Sequence, residues 1–334
     1  MPNKVRVQRY EKSINVDEGQ TILDAALAEG LDIPYDCRAG VCGTCKCALI
    51  SGHVEMREYL DIALEREEAK QGFILACRAT PLTDCEISLI NCNDQISFPY
   101  QELQARVTSV QRVTHDIAVV RLQAEAALAF APGQYVSARF ADLAGRYYSL
   151  ANVAHSDVLE FHIRSVPGGA VSPVLFKTLN VGDEVIIAGP RGMAYFRKHH
   201  TGPVVLCAGG SGLAPIMSML RTLADEDAMR PIHLFFGVRG AQDIYFEKEI
   251  TELANRLPRC ATTIVLSDDK RPTCRRQGYL ADVLRSDLHG CEGMKAYLCG
   301  PPIMIDTCRN VLFSKGLARE DCHIDVFWTP IEGN

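Results

Sequence analysis

Three cysteines with four and then two residues between them, Cys37-Arg-Ala-Gly-Val-Cys42-Gly-Thr-Cys45, followed after 31 residues by Cys77, constrain this chain more than any other feature. Four thiolates in that order suit a two-iron, two-sulfide cluster, for which one short loop supplies three of the ligands. The small residues Ala39, Gly40, Gly43 and Thr44 let the backbone curl around such a group. Its N–H groups can then aim at the sulfurs and stabilise the negative charge that reduction adds. Structural zinc would call for paired C-x2-C knuckles, and Cys77 has no such partner. Packing all four thiols in a core conflicts with a Gly-rich loop. Cys47, Cys85 and Cys92 lack ligand spacing and read as buried or incidental thiols.

The surrounding pattern fits a small separate unit. Residues 4–8 and 13–16 alternate like a hairpin, and 21–29 have helical spacing with Thr21 as N-cap and Gly30 as stop. Residues 1–93, with CRAGVCGTCKC and the later Cys77, resemble the ferredoxin domain of plant-type ferredoxins. The resemblance implies a β-grasp α+β fold with Cys37, Cys42, Cys45 and Cys77 on a [2Fe–2S] cluster.

Charge marks off the same unit. The chain of 334 residues carries a net −6, and residues 1–95 alone hold 10 basic and 16 acidic side chains. The remainder is neutral, so the acidic surface belongs to the first unit and predicts a partner with a basic docking patch. A nucleic-acid binder is disfavoured. With 47% apolar and 23% charged residues, disorder is excluded as well. The N-terminus lacks the apolar core of a signal peptide, which predicts a cytoplasmic protein, and a monomer is expected. Residues 203–220 are uncharged, but Gly209, Gly210, Gly212 and Pro215 break the run, so it predicts strand, loop and helix, not a membrane span.

From about residue 101 six short alternating runs, at 105–110, 117–123, 135–140, 147–151, 159–165 and 184–188, predict an antiparallel β-barrel. Arg146-Tyr147-Tyr148-Ser149 places a cation and an aromatic ring on one face of a strand. That pairing suits a flavin, with guanidinium on phosphate, ring on ring, and a hydroxyl near the reactive nitrogen. His162-Ile163-Arg164 follows, then Gly168-Gly169-Ala170-Val171-Ser172 ahead of a helical stretch, a place where backbone N–H groups bind phosphate. Order and spacing resemble the FAD domain of the ferredoxin–NADP reductase superfamily. That implies FAD contacts from Arg146, Tyr148, Ser149, His162, Ile163, Arg164, Gly169, Ala170, Val171 and Ser172.

Beyond residue 203 strands and helices alternate, predicting a doubly wound α/β sheet. Gly209-Gly210-Ser211-Gly212-Leu213-Ala214-Pro215 after the first strand is neither a Walker loop nor G-x-G-x-x-G. It resembles the GG-[ST]-G-x-A-P loop of the same superfamily, and Cys299-Gly300-Pro301-Pro302 its C-G-P-P strand end. The resemblance implies nucleotide contacts from Gly210, Ser211, Gly212, Pro215, Cys299, Gly300 and Pro301, with the nicotinamide beside the flavin. A nucleophilic Cys299 is disfavoured, since no adjacent His or Asn would activate it. Arg239 should meet the adenosine ribose, where no acid stands to hold a free 2′-hydroxyl. Arg275 and Arg276 are candidate helpers for a 2′-phosphate. NADH is the expected donor, with NADPH as alternative. Phe327, Trp328 or the tail beyond them is the candidate cover for the flavin.

The order ferredoxin (1–93), FAD barrel (101–200) and NAD domain (201–334) spans the chain and resembles reductase components of bacterial aromatic-ring-hydroxylating dioxygenases. Reductases of multicomponent monooxygenases and of CDP-deoxyhexose biosynthesis share it. The implied activity is an NADH-dependent reductase, with Tyr148, Ser149 and Cys299 at its reacting centre, that feeds a ferredoxin or terminal oxygenase. A slow redox sensor is the non-enzymatic alternative.

Overall fold

The computed structural model describes all residues except 1, 32, 36, 91–95, 97, 269–274 and 328–334. Trp328 and the tail, with Cys92 and Cys274, therefore lie outside the described residues. The chain divides into two compact units, Met1–Gln95 and Ile96–Asn334.

The first unit begins with the expected hairpin, β1 (Asn3–Val7) and β2 (Lys12–Val16), and then α1 (Ile22–Ala28). Thr21 caps α1 by accepting a hydrogen bond from the Asp24 N–H. β3 (Lys46–Ser51), β4 (Val54–Met56), α2 (Arg66–Lys70), β5 (Phe73–Leu75), β6 (Ala79–Pro81) and β7 (Cys85–Leu89) follow. The main sheet runs β2-β1-β7-β3-β5, with β1 and β7 parallel and its other pairs antiparallel. α1 buries Ile22, Leu23, Ala25 and Ala26 in the core with Val5, Val7, Ile14 and Ile87, which gives the β-grasp arrangement.

In the second unit, β8 (Gln101–Arg112), β9 (Ile117–Ala124), β10 (Tyr135–Phe140), β11 (Arg146–Ser149), β12 (Val158–Arg164) and β13 (Glu184–Arg191) form one antiparallel sheet. Its order is β11-β10-β13-β8-β9-β12, and the end strands β11 and β12 approach to make a nearly closed barrel around Val136, Phe161 and Val185. Helix α3 (Ser172–Thr178) covers one end, with Leu175 in that core.

The parallel sheet continues with β14 (Val204–Gly209), α4 (Leu213–Asp225), β15 (Ile232–Val238), α5 (Glu247–Arg256) and β16 (Cys260–Leu266). β17 (Arg276–Gln277), α6 (Leu280–Asp287), β18 (Lys295–Gly300), α7 (Pro302–Ser314) and β19 (Cys322–Val326) complete it. Strand order is β17-β16-β15-β14-β18-β19, so the winding reverses between β14 and β18. A ligand crevice belongs at the carboxyl ends of those two strands. The uncharged run 203–220 is β14, its loop and α4, as expected, and no helix among the described residues is long and apolar enough to cross a membrane.

Candidate functional site

Of the cysteines in the first unit, Cys37, Cys42, Cys45 and Cys77 gather as two pairs. A hydrogen bond from the Cys42 thiol, with others from the Val41 and Ala39 N–H groups, holds the Cys37 thiol down at about 5 against the opposing effect of burial. Both N–H groups lie 3.4 Å from Cys37 Sγ. Cys45 and Cys77 are hydrogen-bonded to each other, which pushes Cys45 up and Cys77 down, and the Gly40 N–H helps lower Cys77. Among the described residues no three such donors converge as a single-ion site. Two sulfur pairs with backbone donors aimed at them are what a two-iron cluster requires. The donor set fits a [2Fe–2S] group.

Two glycines are needed to shape that loop. Gly40 and Gly43 have φ of +73° and +74°, where L side chains are strained. A Cβ on Gly43 would stand 2.8 Å from the Ala63 carbonyl oxygen, and one on Gly40 2.9 Å from Tyr59 Cβ. Arg38, inside the loop, is tied back to α1 by its ion pair with Asp24. Cys47 is fully buried and its thiol is pushed up to about 12 by desolvation, in keeping with a packing role.

In the second unit, Arg146 is exposed, donates to the Gly145 carbonyl at 2.9 Å, and meets no carboxylate among the described residues. Such a cation suits a phosphate ligand. Tyr148 stacks on Phe161 at 5.8 Å and meets Phe140 edge-on at 6.2 Å, so its ring also closes the barrel wall. The run His162-Ile163-Arg164 divides by strand alternation. Ile163 lies in the barrel core, leaving its backbone as what it can offer a ligand. His162 is fully buried with Nδ1 2.9 Å from the Tyr245 hydroxyl, while Arg164 pairs with Asp116 at 2.8 Å. Ahead of α3, Gly169 is half-buried and Ala170 exposed, whereas Val171 is in the core and Ser172 Oγ accepts from the Val166 N–H at 3.1 Å. That segment offers backbone, not side chains, to a phosphate.

The glycine loop and the Cys299 strand end meet at the switch point. A Cβ on Gly212 would be 2.1 Å from the Cys299 carbonyl oxygen, and one on Gly209 would be 2.5 Å from Met304 Sδ and 2.9 Å from Pro301 Cδ. Only glycine permits this approach. Cys299 is fully buried, which pushes its thiol well up, so it can position a ring but supplies no thiolate. The Phe327 N–H donates to the Gly300 carbonyl at 2.8 Å, extending β19 along β18.

Sequence reasoning missed the group that links barrel to sheet. Ser149 Oγ donates to Asp325 Oδ2 at 3.0 Å, and Asp325 sits opposite Cys299 in the β18–β19 register. Burial raises the Asp325 carboxyl to about 6, against the lowering effect of the Ser149 bond. The only signal available beforehand was a lone acid inside the apolar run CHIDVFW. Glu160 is a second such group: burial would raise it, but His162 and Arg221 bring it down to about 2.

Arg275 pairs with Glu247 at 2.8 Å and Arg276 with Asp287 at 2.8 Å, so both charges are already engaged. Arg239 is exposed at the end of β15.

Comparison with known proteins agrees with this geometry. Residues 5–82 match the 2Fe-2S iron-sulfur cluster binding domain, 104–196 the oxidoreductase FAD-binding domain, and 206–310 the oxidoreductase NAD-binding domain. The ferredoxin–NAD(P)+ reductase component of the naphthalene 1,2-dioxygenase/salicylate 5-hydroxylase systems of Ralstonia sp. is 36% identical, over 96% of this chain and 98% of that one. A cytochrome P450 reductase of Amycolatopsis, GcoB, is similar at 35% identity and TM-score 0.75, over 97% of this chain and 98% of that one. The ferredoxin reductase in carbazole 1,9a-dioxygenase is 27% identical with TM-score 0.71, over 98% and 99%. With its three domains and these full-length likenesses, the chain belongs to the family of ferredoxin–NAD(P)+ reductase components, oxidoreductases that carry electrons from NADH through FAD to a [2Fe–2S] cluster.

Proposed function

We propose that residues 101–200 hold FAD and residues 201–334 hold NADH so that the two meet at Ser149, Asp325 and Cys299, and that residues 1–93 pass the electrons to an external protein. The observation that carries this is the Ser149–Asp325 bond, which brings the end of β11 against β19 next to Cys299. When bound, these groups supply the redox chemistry: nicotinamide gives two electrons as hydride, a flavin can release them singly, and the cluster takes one at a time.

The chain's own residues do the rest. Arg146 neutralises phosphate, Tyr148 packs a ring face, and the backbone of residues 162–164 and 169–172 lines the flavin side. Gly209 to Gly212 let the nucleotide approach the head of α4, while buried Cys299 sets the depth of the nicotinamide. The proton that a bound flavin would release as its two electrons leave would pass through the Ser149 hydroxyl to Asp325, which is ionised above about pH 6.

NADH is preferred over NADPH because two of the three arginines available to a 2′-phosphate are held by Glu247 and Asp287. Steady-state kcat/KM for the two nucleotides tests this, and a clear NADPH preference contradicts it. The acceptor is a ferredoxin or terminal oxygenase of an aromatic-ring-hydroxylating system with a basic docking patch. Exposed Glu55 and Glu58 support an acidic docking face. Reduction of such an acceptor should slow as salt rises. The likeness to a cytochrome P450 reductase keeps a monooxygenase acceptor as the second reading. Turnover by the purified chain with each acceptor class separates the two.

A further inference from the structure

Tyr245 and Phe246 form a corner between the flavin barrel and the nucleotide sheet. Tyr245 is only 4% exposed, and its ring meets His162, Phe236 and Phe246 within 5.2–5.8 Å. Phe246 holds φ of +57°, an uncommon conformation for a bulky residue that surrounding contacts must enforce. Arg221 supplies some of them. Its guanidinium lies 5.6 Å from the Phe246 ring centroid and donates to the Ala151 carbonyl, to Glu160 and to Glu249 at 2.7–2.8 Å. The corner is thus fixed by groups from both sides of the flavin–nucleotide unit.

We propose that Tyr245 is a positioning residue for the dinucleotide, its phenol tying the Gly210 carbonyl of the nucleotide loop to His162 on the flavin-side strand β12. The hydroxyl stands 3.3 Å from the Gly210 oxygen and 2.9 Å from His162 Nδ1. Gly210 has φ of +55°, and its carbonyl also accepts from the Leu213 N–H in the 3-10 turn at the head of α4, so the phenol is a second donor to the same oxygen. A second donor on that carbonyl holds the peptide plane more firmly than the turn alone. Because C=O and N–H lie on opposite sides of a trans peptide, anchoring the Gly210 oxygen turns the Ser211 N–H away from Tyr245. A donor fixed in that way suits a diphosphate oxygen.

The phenol has one proton for two acceptors. With the imidazole proton on Nδ1, that N–H donates to the phenol oxygen and the phenol donates to Gly210. With the proton on Nε2, facing Glu160 Oε1 at 3.5 Å, the phenol donates to Nδ1 and its tie to Gly210 is lost. The His162 tautomer therefore grades how firmly the loop is held.

This inference rests on the proposal that the Gly210 loop takes the nucleotide, and the test separates the two. Flavin reduction by NADH is followed by stopped flow in the wild-type holoenzyme and in Tyr245→Phe, which keeps the ring and deletes the hydroxyl. FAD content and melting temperature are measured in parallel. The expected result is an about fivefold rise in Kd for NADH, the scale of one net hydrogen bond, with the limiting rate falling by less than about twofold. ADP-ribose, which carries the diphosphate without nicotinamide, should show the same rise in its competitive inhibition constant. An unchanged NADH Kd overturns the proposal, and so does a rise for NADH that ADP-ribose does not share. If ADP-ribose fails to compete with NADH in the wild type, the nucleotide reading of the loop fails instead.

Discussion

The cluster loop and the flavin–nucleotide junction solve the same problem, holding a redox group, in opposite ways. The loop uses nearby residues: three of the four proposed sulfur ligands lie within nine positions, and their donors, the N–H groups of Ala39, Val41 and Gly40, belong to the same stretch. The junction is assembled from afar, with Ser149 bonded to Asp325 across 176 positions and His162 to Tyr245 across 83. Covalent ligation imposes spacing on the sequence, whereas hydrogen bonds and close packing between separate elements impose only residue type. The first region fails when one atom is removed, the second when its geometry shifts.

The largest effect should therefore come from a ligand. Cys45→Ser should lose the cluster and cut reduction of a one-electron protein acceptor by at least about 100-fold. NADH–ferricyanide activity, which drains the flavin directly, should stay within about twofold. Iron content and both assays check this. If ferricyanide activity vanishes too, the two regions are not separable in the way described.

Next comes close packing at the junction. Gly212→Ala drives a methyl into the Cys299 carbonyl and should destabilise the second unit on the order of 3 kcal/mol, with weakened NADH binding. Calorimetry should show that transition lowered while cluster absorbance is retained. A normal melting profile would mean the loop has room that the geometry denies.

Asp325→Asn probes the proton path. The folded-state carboxyl titrates near 6, above its ordinary 3.8, so the native protein keeps a proton that the unfolded chain has lost across that interval. Stability accordingly falls as pH rises from about 4 to about 6, by on the order of 3 kcal/mol. The Asn variant should lose this slope, and its turnover should be slower and lack the decline expected for the wild type below about pH 6. Melting and turnover measured against pH decide it, and an unchanged profile removes Asp325 from the path.

The smallest effect belongs to local structure in the first unit. Thr21→Ala removes the cap of α1 and should cost about 1 kcal/mol there, leaving the melting of the second unit unaltered. A shift in both transitions would contradict their independence.

This contrast also sets what the sequence could disclose. Alternation and glycine placement were enough for the β-grasp hairpin, the six barrel strands and the parallel sheet, because each follows from local periodicity and turn chemistry. The four cysteines were legible for the same local reason. Asp325, Tyr245 and Glu160 were not, since each is an ordinary polar residue whose role exists only once distant strands meet. For Arg275 and Arg276 the basic charge was visible, but not the Glu247 and Asp287 that pair with it.

The central claim is that NADH electrons reach the cluster through the flavin within this chain. Anaerobic titration of the holoenzyme with NADH, followed by optical and EPR spectra, tests it most directly. Flavin absorbance should bleach and the signal of a reduced [2Fe–2S] cluster should grow in the same titration. Bleaching of the flavin with no cluster signal, in protein shown to contain two irons per chain, would contradict the account.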